Sequence, residues 1–213
     1  MTTMKRWRAL GVLVLSGWGF AANAGAEATA APASSGGWEE IAARFATPQD
    51  TKADFIERRY FSFRKEPVEL RGEVRISSAR GLSLHYLQPE ERTVIIDAQG
   101  MLLRDPGGRD APPPDPRAGA ANNALRQVLR FDFAALEKDF AIVGEREETR
   151  WSVTLTPRGP AMRRAVGAIV MRGDHAVVRH IELRRSEKQR IEISLERASA
   201  ATFSAEEIAR YFR

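Results

Sequence analysis

A chain of 213 residues is long enough for one domain of ordinary size. It contains no cysteine, which excludes disulfide bonds, thiolate metal sites and a cysteine nucleophile. Its formal net charge of +5 at first suggests a nucleic-acid partner. However, three basic residues lie within the first eight positions, and without them 30 basic residues are interleaved with 28 acidic ones. The charge pattern therefore indicates no nucleic-acid partner, while affinity for an anionic membrane surface stays open.

Residues 1–26 have the pattern of a secretory signal peptide. A basic start, Lys5 to Arg8, precedes an apolar run over 9–22, which is shorter than the ~20 residues of a membrane anchor. Small residues predict cleavage near Ala24 or Ala26. No cysteine follows to carry a lipid. We therefore expect a soluble protein in the bacterial periplasm, with a flexible leader over 27–37 and a single domain over 38–213.

The domain begins with a short amphipathic helix and a long strand. Trp38, Ile41 and Phe45 recur at helical spacing, so the helix should lie on another element. The following strand is predicted over 52–64, with Phe55, Phe61 and Phe63 on one face. Glu57 and Arg59 share that face, which indicates that this end of the strand leaves the core for solvent.

Residues 72–97 predict three consecutive antiparallel strands. Alternation places apolar side chains on one face and polar ones, among them Glu73, Arg75, Ser77, Ser83 and His85, on the other. An apolar sheet face needs a cover. Either core helices or a lipid would provide it.

The stretch over 105–121 contains five prolines and three glycines and predicts no regular structure. Two short helices should follow, the first capped by Asn122 or Asn123 and the second by Asp132. Strands are then predicted over 140–146, 151–157, 165–171, 177–185 and 190–196, and a last helix is capped by Ser204. The expected fold is mostly β, with about ten to eleven strands in hairpin order.

Catalytic and cofactor motifs are missing from the sequence. None of His85, His175 and His180 pairs with a second ligand at metal spacing, and no serine lies in a nucleophile elbow. His175 falls in a turn, and a solvated strand face explains His180 and Glu182 better than a catalytic base does. We therefore expect neither an enzyme nor a cofactor nor a metal site. Basic residues on late strands fit protection of a sheet edge by charge better than a partner or phospholipid-headgroup site: Arg179, Arg184, Arg185, Lys188 and Arg190.

The order of elements resembles the periplasmic outer-membrane lipoprotein carriers, the LolA-like family. The matching motifs span roughly residues 38 to 198 and are Phe55-x-Glu57, Gly72, Leu82 to Leu84, Gln88-Pro89-Glu90, Asp97-x-x-Gly100 and Leu155-Thr156-Pro157. Each motif is weak alone, and their order and spacing carry the resemblance. It implies a half-open antiparallel β-barrel whose apolar face is covered by a helical lid, with acyl chains held between them.

The resemblance assigns two sets of residues to this arrangement. The lid would contribute Leu125, Val128, Leu129 and Leu136. The lipid-binding cavity would be lined by Phe55, Phe63, Val74, Ile76, Leu82, Leu84, Tyr86, Val94, Ile96, Trp151, Val153, Leu155 and Ile193.

This chain departs from the family pattern in two places. The family carries an Arg-Pro pair, whose arginine latches the lid, where this sequence has Ser78-Ala79. Arg80 is the candidate replacement latch. The family's C-terminal strand and tail are replaced by a short helix over 204–212. The resemblance therefore indicates a divergent member.

The implied function is a monomeric carrier that takes an acylated cargo from an inner-membrane donor protein to an outer-membrane acceptor. The cargo is a lipoprotein, a glycolipid or a fatty-acyl product. One alternative is a periplasmic sensor that binds acylated ligands through the same fold. Another is a sheet whose apolar face is filled by its own side chains, because aromatic residues can fill a cavity as readily as line one.

Overall fold

The computed structural model describes residues 37–45, 49–112, 123–124, 126–128 and 130–213. The predicted signal peptide, the leader up to residue 36 and most of the proline-rich stretch lie outside this described part of the chain. So do Leu125 and Leu129 of the predicted lid and the candidate cap Asn122. Within the described ranges, no helix is long and apolar enough to cross a membrane.

Within these ranges, eleven strands and four short helices are defined. The helices are α1 Glu39–Ala43, α2 Phe133–Leu136, α3 Pro160–Ala165 and α4 Ala205–Tyr211, and residues 123–124 and 126–128 are also helical. The strands are β1 Thr51–Tyr60, β2 Val68–Ser77, β3 Gly81–Gln88, β4 Arg92–Asp97, β5 Gly100–Arg104, β6 Asp110–Ala111, β7 Phe140–Glu147, β8 Arg150–Pro157, β9 Ala168–Asp174, β10 Val177–Ser186 and β11 Gln189–Ala200.

All of these strands form one antiparallel sheet in the order β6-β5-β4-β3-β2-β1-β11-β10-β9-β8-β7. The first and last strands of the chain, β1 and β11, pair with each other at its centre. Every other pairing is between strands consecutive in sequence, as hairpin connections require. The edge strands β6 and β7 do not pair with each other, so the sheet is not closed. This confirms the predicted mostly-β fold of ten to eleven strands.

One face of the sheet is apolar because side chains alternate along each strand. Val74, Leu84 and Ile96 on this face are each at most 5% exposed. They join a single core cluster that also contains Leu155 and Ile169 from the other half of the sheet. We call this surface the apolar face.

The opposite face of β2–β4 is not the solvated surface that its polar residues predict. Arg75, Ser83 and His85 are all buried on that face. They are covered because α4 packs over them: the Arg75 guanidinium lies 3.6 Å from the centroid of the Tyr211 ring, and the His85 and Tyr211 ring centroids are 5.2 Å apart. The predicted C-terminal helix is thus an integral layer of the domain.

Both ends of α4 are held by hydrogen bonds. Ser204 caps the start of the helix, as predicted, and Glu207 completes a capping box with it. At the other end, Arg104 on β5 donates from Nη1 to the carbonyl oxygens of Ala209, Arg210 and Phe212 at 3.0, 2.9 and 3.1 Å. A polar cavity of about 210 Å³ lies beside this contact.

His85 makes the stability of this layer depend on pH. Burial lowers its pKa below the ordinary value, and the positive charges of Arg75 and Arg210 add to that effect against Glu91 and Glu73. Below about pH 6.5, His85 therefore binds a proton in the unfolded chain more readily than it does in the folded protein. We expect the free energy of unfolding to fall between pH 7.5 and pH 5, as measured by urea denaturation at each pH.

The variant His85→Gln should flatten this pH dependence, because it removes the titrating group. His180 retains a contribution, since burial and Arg172 lower its pKa in the same direction. His175 is the matched control because it lies in the exposed β9–β10 turn. An equal effect of His175→Gln and His85→Gln on the pH profile would contradict this explanation.

Three local expectations are corrected by the structure. The first strand ends at Tyr60 rather than Arg64, which leaves Phe61 and Phe63 in the following loop. Within the proline-rich stretch, β6 pairs with β5. The helix α3 was not expected, although Pro160 at its first position is a common helix start.

The basic residues on the late strands do not protect a sheet edge. Strands β10 and β11 lie inside the sheet, between β9 and β1. On the outer face, Arg184 pairs with Glu182 at 2.6 Å and Arg190 pairs with Glu192 at 2.7 Å. Glu182 is itself buried, so this face is less solvated than expected. The alternating charges are largely explained by ion pairs along each strand.

Candidate lipid-binding face

The centre of the apolar face is built around a glycine. Gly72 on β2 pairs with Phe55 on β1 and Tyr86 on β3. A Cβ atom at this position would lie 2.8 Å from Phe55 Cζ and would also meet the His85 carbonyl. The glycine lets the Phe55 ring pack edge-on against Tyr86, with centroids 5.1 Å apart and an interplanar angle of 81°.

Most of the predicted cavity residues lie together on this face. Ile76 is partly buried against the core cluster, and Phe63 lies outside it, 80% exposed in the loop after β1. Phe63 is therefore removed from the set, because its strand ends three residues earlier. The buried members are Phe55, Val74, Leu82, Leu84, Tyr86, Val94, Ile96, Trp151, Val153, Leu155 and Ile193.

Two short helical pieces cover part of the apolar face. We call residues 123–136 the lid, of which all but Leu125 and Leu129 are described. Val128 and Leu136 are fully buried and belong to the same core cluster as the sheet. Asp132 caps α2 as predicted, because its Oδ1 accepts from the Ala135 N–H at 3.2 Å. Val128 and Leu136 thus occupy the predicted lid positions.

Aromatic rings join the lid to both the sheet and α1. Phe131 of the lid stacks on Phe45, with centroids 3.7 Å apart, and its centroid lies 6.5 Å from that of Trp151 on β8. Phe133 packs against Trp38 at 5.3 Å. The predicted amphipathic helix α1 therefore lies on the lid as well as on the core.

The link between the two lid helices has a left-handed backbone. Phe131 has φ of 55°, a region that costs a residue with a side chain about 1–2 kcal/mol. Glycine usually takes this position after a helix. The phenylalanine here is explained by its ring contacts, because the stacked Phe45 ring and the edge-on Trp151 ring partly bury its side chain. These ring contacts therefore offset the backbone strain at Phe131.

A hydrogen bond latches the lid to the turn between β2 and β3. Asp50 accepts from the backbone N–H of Ser78 at 2.9 Å and from the Ser77 hydroxyl at 3.1 Å, which fixes the turn. Arg130 of the lid then donates from Nη2 to the Ser78 carbonyl at 3.1 Å. Arg80, the predicted latch, is exposed at the surface. The arginine of this contact therefore comes from the lid and not from the turn.

Removing the latch should open the lid without unfolding the domain. One surface hydrogen bond from a charged group to a backbone carbonyl contributes about 0.5–1 kcal/mol. Arg130→Ala should therefore raise hydrogen exchange of amides over 126–136 by roughly two- to fivefold, while the sheet amides stay unchanged. Arg80→Ala is the matched control and should leave lid exchange unaltered. Faster lid exchange in Arg80→Ala than in Arg130→Ala would contradict this assignment.

The apolar face ends in a buried cluster of polar residues at its other end. Glu57 and Arg59, expected to be in solvent, are 4% and 5% exposed. Glu57 accepts from Arg59 Nε at 2.5 Å and from the Tyr86 hydroxyl at 2.7 Å. The Arg92 guanidinium lies 5.0 Å from the centroid of the Tyr86 ring. We call these four residues the polar cluster.

The polar cluster is strongly coupled electrostatically. Burial raises the pKa of the Tyr86 hydroxyl, and the Glu57 carboxylate raises it further, so Tyr86 stays neutral and donates. Burial alone would lower the pKa of the Arg59 guanidinium, but its interactions with Glu57 and Tyr86 together outweigh burial and raise the pKa. Burial lowers the pKa of Arg92, whose Nε is buried without a hydrogen-bond partner.

Sequence reasoning missed the polar cluster and the latch. The signal for the first was present, since Glu57 and Arg59 share the inward parity of Phe55 and stand next to one another on that face. A buried ion pair accounts for two charged residues on the inward face just as well as the predicted exit of the strand into solvent does. Nothing in the sequence marks Arg130, whose contact joins residues 52 positions apart.

Three solved structures align with most of this chain. A LolA superfamily protein from Nitrosomonas europaea is 7% identical, and the alignment covers 80% of this chain and 96% of that one, with a TM-score of 0.43. An outer membrane lipoprotein-sorting protein domain from Vibrio parahaemolyticus is 9% identical over 80% and 93% of the two chains, with a TM-score of 0.43. The MucA/MucB complex of Pseudomonas aeruginosa gives 14% identity and a TM-score of 0.46. The alignment there covers 81% of this chain and 59% of that one.

Sequence comparison identifies the family. No significantly similar sequence was found among curated proteins. The model of the family described as outer membrane lipoprotein carrier protein LolA-like matches residues 29–211, which is most of the chain. This chain therefore belongs to the LolA-like family of outer membrane lipoprotein carrier proteins.

Proposed function

We propose that this protein is a periplasmic carrier that shelters the acyl chains of a lipoprotein or other acylated lipid and transfers it toward the outer membrane. The observation that carries the proposal is the apolar face under a lid of two short helical pieces. The lid combines buried apolar side chains, a left-handed link at Phe131 and a latch from Arg130. These features suit a cover that moves. The protein would act by binding and not as an enzyme.

The energetics of acyl binding favour a lid that competes with the cargo. Burial of one methylene contributes about 0.8 kcal/mol, so a sixteen-carbon chain offers roughly 12 kcal/mol before the costs of association. Such a ligand would leave slowly from an empty preformed cavity. Here Val128 and Leu136 contact the core in the closed state. The cargo must displace them, which lowers its net affinity and allows release.

The sequence and the family support the proposed location and partners. The signal-peptide pattern over 1–26 supports export to the periplasm. A carrier between membranes needs a donor protein at the inner membrane and an acceptor at the outer membrane. We propose that the protein serves them as a monomer and without nucleic acid or cofactor.

Native mass spectrometry of protein gently purified from its own periplasm tests this function. We expect adducts with the masses of acylated molecules, and pick-up of lipid from vesicles by protein stripped of ligand. A clean ligand-free mass in both experiments would contradict the proposal and support a self-filled sheet. Movement of bound cargo between two vesicle populations without a third component distinguishes a carrier from a sensor.

A further inference from the structure

We propose that Arg92, supported by the rest of the polar cluster, forms a head-group subsite for an acyl ligand that ends in an anionic oxygen group, a carboxylate or a phosphate. This inference rests on the proposed function, because it assigns a polar end to the same apolar face. It adds a chemical class to the cargo: an acidic amphiphile in preference to a neutral one.

The charges of the polar cluster do not balance. Both oxygens of Glu57 are already engaged, one with Arg59 and one with Tyr86. Within the four residues of the polar cluster, the single negative charge of Glu57 stands against the two positive charges of Arg59 and Arg92. The counter-charge of Arg92 comes from outside the cluster, from Glu90, which is half exposed and forms an ion pair with Arg92 Nη1 at 3.7 Å. A largely buried guanidinium cannot lose its proton, so it needs an anion.

Arg92 has a free donor in a place where donors are normally satisfied. Its side chain is 14% exposed, yet Nε is fully buried without a hydrogen-bond partner. Arginine binds carboxylate and phosphate groups through such donors, often with two at once. An anionic head group would bind at the exposed part of the guanidinium and supply the missing charge, and it would reach the buried Nε once the side chains that cover it move aside.

The position of Arg92 suits the end of an acyl chain. Arg92 pairs with Tyr86 across β3 and β4, and Leu82, Leu84 and Val94 continue the apolar face from there. Tyr86 lies five residues along β3 from Gly81, or about 17 Å at 3.4 Å per residue. The lid latch at Ser78 lies beyond Gly81. A ligand with its head at Arg92 would thus extend along the apolar face toward the lid.

The test compares an acid with a neutral molecule of the same chain length. Binding of palmitate and of 1-hexadecanol is measured at pH 8 by titration calorimetry, for the full chain and for Arg92→Met. The unaltered protein should bind palmitate about tenfold more tightly than the alcohol, as expected for one charged hydrogen bond. Arg92→Met should lose this preference while its affinity for the alcohol stays the same. Arg92→Lys should restore part of the preference.

Stability without ligand provides a second readout. Because Arg92 lacks a full partner, Arg92→Met should be at least as stable to urea as the unaltered protein. Arg190→Met is the matched control, since Arg190 also lies over a tyrosine ring, Tyr60 at 3.7 Å, but on the outer face. It should leave the preference for palmitate intact.

The outcomes separate this inference from the proposed function. Equal binding of palmitate and the alcohol by the unaltered protein overturns the subsite but leaves the carrier standing. Weaker binding of both molecules by Arg92→Met, or its instability, also overturns the subsite and indicates a purely structural role. Failure of the unaltered protein to bind either molecule overturns the carrier and the subsite with it. Hexadecyl phosphate in place of palmitate then tells whether phosphate is the preferred head group.

Discussion

Replacing Glu57 with alanine is expected to lower the free energy of unfolding by about 3–5 kcal/mol. The carboxylate is buried, and its removal leaves the buried Arg59 without its counter-charge and the Tyr86 hydroxyl without its acceptor. Arg92 nearby then adds uncompensated positive charge. Urea unfolding at pH 7.5 measures the effect. Glu57→Gln should lower the free energy of unfolding by less, because its amide oxygen can still accept the hydrogen bond from the Tyr86 hydroxyl.

The outer face of the sheet offers a closely matched control. Glu192 accepts from the Tyr60 hydroxyl at 3.1 Å and from Arg190 Nε at 2.7 Å, the same two kinds of partner as Glu57 has. The Glu192 side chain is 23% exposed, so after its removal water can accept hydrogen bonds from the Tyr60 hydroxyl and from Arg190. Glu192→Ala should therefore cost no more than about 1 kcal/mol. Equal losses of stability in Glu57→Ala and Glu192→Ala would contradict the claim that burial makes the Glu57 interactions the more important ones for stability.

Trp151→Ala should cost about 3–5 kcal/mol and release the lid. The indole ring is 3% exposed and packs against Phe45 and Phe131, which join α1 and the lid to the sheet. It fits closely over Gly173, where a Cβ atom would collide with it. Urea unfolding gives the stability loss, and hydrogen exchange over 126–136 should rise beyond the global change.

The conservative variant Trp151→Phe separates ring packing from hydrogen bonding. It keeps an aromatic ring on β8 but loses the hydrogen bond from the indole Nε1 to the His175 carbonyl, 2.9 Å long. We expect a loss of about 1–2 kcal/mol with little added lid exchange. A full loss of stability in Trp151→Phe would contradict the claim that aromatic stacking holds the lid.

The sheet was predictable because alternation acts over a few residues. Val74, Leu84 and Ile96 each follow a period of two, and a period of two places residues on one face whatever the rest of the chain does. Caps are equally local. Asp132 and Ser204 act on N–H groups three residues away, so the sequence predicts both helix starts.

The remaining features depend on contacts between distant segments. Burial of Arg75 and His85 requires α4, which lies more than a hundred residues later in the chain. The length of the first strand was misjudged because Phe63 continues the parity of Phe55 past the point where pairing with β2 ends. The latch from Arg130 likewise depends on where the lid meets the turn.

The most direct test of the carrier account is to fasten the lid. The chain contains no cysteine, so Ser78→Cys with Arg130→Cys can be bridged by a bis-methanethiosulfonate reagent that thiols cleave. Single-cysteine variants treated with the same reagent are the controls. The account predicts that the bridged protein loses most of its palmitate uptake and regains it when the bridge is cleaved. Undiminished uptake by the bridged protein would contradict a moving lid over an acyl-binding face.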